Sequence, residues 1–181
     1  TVPTVIATAL LFSALSAAAF IEVRDGYFWD TEKNDYWVPH GFAYQTINPP
    51  VFATQNPQQI DYDFLEMKKT HADSLRVDFT WGYIEPTNDV FNWSAADDII
   101  ATAEKYGLKL FILVGYQYPP GWASSSWKAV NSSNKTSAVL NYEHPEARAA
   151  YTDFIAQVTG RYKDSPAVAA WILGNEYAYF D

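Results

Sequence analysis

Cysteine is absent from this chain of 181 residues, so neither a disulfide nor a thiolate metal site is available. Positive charge is scarce as well: 12 Lys and Arg stand against 21 Asp and Glu, a net charge of -9. That balance argues against nucleic acid or an anionic membrane surface as partner. His40, His71 and His144 are the 3 histidines, and they show no metal-ligand spacing. The sequence has no G-x-S-x-G elbow, no Walker loop and no G-x-G-x-x-G motif, so no cofactor is implied.

Apolar residues make up 49% of the chain and charged residues 18%, which suits one globular core rather than a disordered segment. The aromatic share is 17%, with 13 Tyr and 7 Trp. Two readings of that share stay open here: a core rich in rings, or a cleft whose aromatic faces stack on pyranoses. Residues 5–20 are uncharged and run into Ala17-Ala18-Ala19, the pattern of a secretory signal peptide over residues 1–19. No charged segment and no Met precede it, so a truncated start is expected; an uncleaved anchor is the alternative. Sequons at Asn92-Trp93-Ser94, Asn131-Ser132-Ser133 and Asn134-Lys135-Thr136 agree with a secreted, extracellular glycoprotein with no stable membrane insertion.

The pattern along residues 20–181 alternates strands with helices. Two apolar pieces around Arg24-Asp25-Gly26 predict a β-hairpin with an Asp-Gly turn. A first strand is expected over residues 36–43 and a rim loop over 45–56. A helix over 58–70 carries Ile60, Phe64 and Met67 on one face. The second strand, 74–79, alternates: Leu75, Val77 and Phe79 face one side, Arg76 and Asp78 the other. Ser94-Ala95-Ala96-Asp97 reads as a capping box, and Gly107 closes the helix it opens. Residues 108–114 form a third buried strand, followed by a long polar stretch to Asn141 that is expected to be exposed. Pro145 starts a third helix, with Tyr151, Phe154, Ile155, Val158 and Tyr162 as its buried stripe. After Ser165-Pro166, residues 168–173 make a fourth strand that delivers Asn175 and Glu176 at its C-terminal end.

This order predicts an α/β fold: the N-terminal half of a (β/α)8 TIM barrel, about four parallel strands, preceded by a short β-hairpin. A flavodoxin-like sheet is the alternative, disfavoured by polar residues pointing inward on the second strand. Such barrels need about 250 residues, so residues 20–181 read as one domain cut short.

Three stretches carry a family resemblance. Trp171-Ile172-Leu173-Gly174-Asn175-Glu176-Tyr177 resembles the acid/base strand of the clan A glycoside hydrolases. Leu75-Arg76-Val77 through Phe79-Thr80-Trp81, Ile84-Glu85-Pro86 and Phe91-Asn92-Trp93 looks like the second-strand region of glycoside hydrolase families 42 and 5. The ending Gly115-Tyr116-Gln117-Tyr118-Pro119-Pro120-Gly121-Trp122 resembles the third-strand loop of family 42.

The resemblance implies a retaining β-glycosidase of β-galactosidase, mannanase or glucanase type, acting on oligo- or polysaccharides. In it Glu176 matches the acid/base, Asn175 the residue that binds the sugar's 2-hydroxyl, and Arg76 the arginine near the nucleophile. His40, Trp81, Tyr116, Trp122 and Tyr177 are the expected substrate contacts, and Trp127 could share a sugar platform with Tyr116 and Trp122. Glu85 is expected to be structural. The nucleophile comes from the seventh strand in this superfamily, so the chain is expected to carry half of a catalytic pair and to be inactive alone. A non-catalytic carbohydrate-binding or structural barrel piece is the other reading.

Overall fold

The computed structural model describes residues 20–44, 56–115 and 117–175. The expected leader over residues 1–19 lies outside them, as does the 45–55 loop. The first described unit is a small antiparallel sheet of β1 (Ile21–Arg24), β2 (Tyr27–Asp30) and β3 (Asp35–Tyr36). Asp25 and Gly26 both take positive φ, 52° and 84°, as a two-residue hairpin turn requires.

The expected first strand over 36–43 is in fact two elements. Tyr36 pairs with Trp29 in β3, and the Trp37 N–H donates to the Phe28 carbonyl at 2.9 Å. Pro39 has no N–H to continue a ladder, so the next strand, β4 (Gly41–Tyr44), begins only after it. Gly41 is required there: a Cβ would lie 1.6 Å from the Ser74 carbonyl oxygen.

The main sheet has four parallel strands in the order β4, β5 (Ser74–Thr80), β6 (Lys109–Gly115) and β9 (Val168–Ile172). Each strand pairs with the next in the chain. A flavodoxin-like sheet reverses its strand order at a switch point, so this order excludes it. The helices between strands are α1 (Pro57–Lys69), α3 (Ser94–Tyr106) and α4 (Pro145–Tyr162); a single turn, α2 (Trp81–Ile84), follows β5. This is the N-terminal half of a (β/α)8 barrel.

Side-chain alternation settles which face each group takes. Leu75, Val77 and Phe79 of β5 and Leu110, Ile112 and Val114 of β6 join one core with Ile60, Phe64, Ile99, Tyr151, Phe154 and Val158 of the helices. Arg76 and Asp78 therefore project from the opposite, inner face. Asn56 caps α1 by accepting from the Gln59 N–H at 3.2 Å, with Pro57 in the first turn. Gly107 ends α3 at φ 61°.

The capping box at Ser94 is not formed. Trp93 takes the cap position without a side-chain bond, and Asn92 Oδ1 accepts from the Ser94 N–H and hydroxyl instead. Asp97 spends its carboxylate on α4, accepting from Arg161 at 2.9 and 2.7 Å and from the Tyr162 hydroxyl at 2.8 Å. A forked guanidinium outcompetes a local N–H for a carboxylate one turn into the helix.

The polar stretch after β6 also holds more structure than expected. A 3-10 turn (Ser125–Trp127) leads into an antiparallel hairpin of β7 (Lys128–Val130) and β8 (Thr136–Leu140). Val139 and Leu140 are buried, so only part of the stretch is exposed.

Candidate active site at the strand C-terminal ends

The two ends of the half-barrel differ in kind. At the N-terminal end, Trp37 stacks on Phe111 with ring centroids 5.7 Å apart and planes at 13°, while Phe28 meets the same ring edge-on. Asp73 ties this plug down, accepting from Trp37 Nε1 and from the His40 N–H, each at 2.8 Å. Arg76 of β5, in register with Phe111, extends its side chain toward the C-terminal end and the segment beyond β9, where its Nη2 donates to Asn175 Oδ1 at 2.9 Å. The same nitrogen is 3.5 Å from Asp78 Oδ1.

Asp78 is buried, and burial pushes its carboxyl above the ordinary aspartate value, with Arg76 opposing that rise. Arg76 Nε has no hydrogen-bond partner among the described residues. The Thr80 hydroxyl at the end of β5 and both amide atoms of the fully buried Gln117, just past β6, are also unpartnered there. This rim thus carries a fixed cation and several unused donors and acceptors, as a site for a hydroxyl-rich ligand needs.

The expected site residues fall into three groups. Arg76 and Asn175 come together. Glu176, Tyr177 and Tyr116 lie outside the described residues. His40 and Trp81 are misplaced as substrate contacts. His40 precedes β4, at the closed end of the sheet. Trp81 is fully buried, stacks on Phe154 at 5.5 Å and gives its Nε1 proton to Glu85 Oε2 at 2.7 Å. Large rings beside a rim loop read alike in sequence whether they line a cleft or fill the core beneath it.

Glu85 is structural: it is buried, and its other oxygen takes the Asp89 N–H at 2.8 Å. Its carbonyl accepts from Trp122 Nε1 at 2.8 Å, which ties the loop after β5 to the loop after β6. Trp122 is half-buried and meets Trp81 and Trp127 edge-on. Gln117 and Thr80 escaped the sequence reading. The position of Gln117 immediately after a buried strand was the available signal.

A family model described as beta-galactosidase, glycoside hydrolase family 42, matches residues 51–181. The chain belongs to glycoside hydrolase family 42. Among curated relatives, "Probable mannan endo-1,4-beta-mannosidase A-1" of Aspergillus terreus is 29% identical, over 86% of this chain and 40% of its own length. A polyextremophilic beta-galactosidase from the haloarchaeon Halorubrum lacusprofundi superposes with a TM-score of 0.67 at 21% identity, covering 78% of this chain and 22% of that one. An endo-1,4-beta-mannanase from Rhizomucor miehei gives a TM-score of 0.63 at 18% identity, over 87% of this chain and 48% of that one. This family 42 chain spans about two fifths of the length of the Aspergillus relative.

Among the described residues no group of three or more His, Cys, Asp or Glu side chains could hold a metal ion, and no helix is long and apolar enough to cross a membrane.

Proposed function

We propose that this chain supplies the acid/base half of a retaining β-glycoside hydrolase acting on β-linked oligo- or polysaccharides. The observation that carries the reading is the 2.9 Å bond from Arg76 to Asn175 across the mouth of the sheet. It holds the Asn175 amide at the rim, where that amide can meet a sugar 2-hydroxyl, and Glu176 is the next residue. Glu176 protonates the leaving oxygen and later takes a proton from water. Retaining chemistry also needs a nucleophilic carboxylate about 5–5.5 Å away. In the superfamily that the chain resembles this carboxylate comes from the seventh strand, so the reading expects the nucleophile from a strand other than these four. Trp122, Tyr116 and Tyr177 are the proposed ring contacts for the sugar. Secretion, with residues 1–19 as a cleaved leader, agrees with the apolar N-terminal run and the sequons.

The test compares the 181-residue chain with a longer form that completes the barrel, on β-galactosides, β-mannans and β-glucans. In the longer form Glu176→Gln lowers turnover by about 10²–10⁴-fold, with less effect on substrates whose leaving groups need no protonation. The chain alone gives no useful turnover. An unaffected Glu176→Gln enzyme removes the acid/base assignment and favours a non-catalytic barrel. Robust turnover by the 181-residue chain defeats the two-carboxylate argument.

A further inference from the structure

The outer face of the N-terminal sheet has no role in the reading above. Cross-strand pairing of Arg24 with Tyr27, Glu22 with Trp29 and Trp29 with Tyr36 puts these five side chains on one face. Phe28 alternates to the other face, where it meets Phe111. Tyr27 is 66% exposed and Tyr36 56%, high values for rings in paired strands. Their centroids are 5.7 Å apart, Trp29 lies 5.1 Å from Tyr36, and both neighbours stand nearly perpendicular to the Tyr36 ring, at 77° and 84°. Arg24 covers Trp29 at 4.5 Å and grips Glu22 through two nitrogens at 3.1 and 2.9 Å.

We propose that this face is a second, non-catalytic binding site for neutral β-linked polysaccharide, at the end of the sheet opposite the rim. A corner of two exposed tyrosines offers ring faces to the C–H groups of a pyranose and phenol hydroxyls to its polar edge. The Arg24–Glu22 pair beside them supplies a fixed donor and acceptor. The two charges cancel, and the whole chain carries -9, which disfavours an anionic polymer. Five side chains are also too few for a protein partner, since specific interfaces use about 20–30 residues a side. A polymer held here stays near the enzyme while the rim works on it. The choice of glycan as ligand rests on the proposed glycosidase reading; the binding event itself does not require catalysis.

Native electrophoresis through gels containing soluble galactomannan or hydroxyethyl cellulose tests it. The wild-type chain is retarded, and Tyr27→Ala/Tyr36→Ala weakens the retardation about tenfold, a loss of about 1.4 kcal/mol. Tyr27→Phe/Tyr36→Phe, which keeps both rings, retains most of it. Tyr27→Ser alone leaves the Trp29–Tyr36 contact in place and gives an intermediate loss, a check that does not depend on the double variant folding normally. Retardation needs no turnover, so failure of the catalytic reading is seen separately, in the turnover of the longer form, from failure of this one. A wild-type chain that no polymer retards, or a double alanine variant retarded as strongly as wild type, overturns the proposal. So does a dimer in sedimentation that dissociates in the double variant without any polymer binding, which would assign the face to a second copy of the chain.

Discussion

The two ends of the sheet use similar residues to opposite purposes. At the N-terminal end an acid, one tryptophan ring, one phenylalanine ring and a backbone N–H are locked together: Asp73 accepts from Trp37 and from the His40 backbone, and Trp37 lies flat on Phe111. Lys109 Nζ there donates to the Pro166 carbonyl at 2.8 Å. At the C-terminal end Arg76 is shared between Asn175 and Asp78, while Arg76 Nε, the Thr80 hydroxyl and the Gln117 amide have no partner among the described residues. Leaving a buried polar group unpaired costs about 1–3 kcal/mol; such groups cluster at this end, although Trp29 Nε1 in the N-terminal sheet is also without a partner among the described residues. In such barrels the bottom serves stability and the top carries the site, and the proposed function places its residues at the corresponding end of this sheet.

The largest effect that would break the comparison lies at the closed end. Trp37→Ala removes the ring over Phe111 and the donor to Asp73, and is expected to cost about 3–5 kcal/mol in denaturant unfolding. A loss below about 1 kcal/mol would mean that the plug does not hold the sheet.

A smaller effect tests the helical shell, which stands apart from both ends. Burial pushes Asp97 upward, but the Arg161 hydrogen bonds and the Tyr162 hydroxyl outweigh it and hold the carboxyl below the ordinary aspartate value. A depressed pKa contributes stability above the unfolded value, and that contribution is lost as pH falls through the folded one. The pair is about two-fifths exposed, so solvent screening limits its worth, and Asp97→Asn is expected to cost about 1 kcal/mol at neutral pH. The difference from wild type should vanish in acid; a loss that stays constant with pH would mean packing, not charge, is responsible.

The smallest effect sharpens the rim. Asp78 shifts the other way, raised chiefly by burial with Arg76 opposing. Its charged form therefore destabilises the fold once pH rises past the unfolded value, and the deficit is complete above the folded pKa. Asp78→Asn is expected to stabilise the chain at neutral pH, by less than the Asp97 change costs, and to have no effect on stability in acid. Thermal melts at both pH values check this, and destabilisation at neutral pH would show that the Arg76 contact outweighs burial.

Periodicity alone determined much of this protein. The strict alternation of Leu75-Arg76-Val77-Asp78-Phe79 already sent the polar pair to one face, because successive strand side chains must point opposite ways. Strand–helix repetition likewise called for a parallel sheet, and Asp25-Gly26 for a tight turn, because few backbones other than Gly and Asp or Asn accept positive φ. Tertiary packing decided what periodicity leaves equal. Trp81 and Trp122 are the same residue type in neighbouring loops, yet one is sealed against Phe154 and the other half-exposed, because burial depends on where α4 lies. Asp97 stood at a capping position, and only the approach of Arg161 from 64 residues away drew it across to another helix. His40 sits next to a strand in the sequence, but which end of the sheet it occupies followed from Pro39, Gly41 and the Asp73 carboxylate that fixes its backbone. Local pattern sets which way a side chain points; contacts between distant segments set what it finds there.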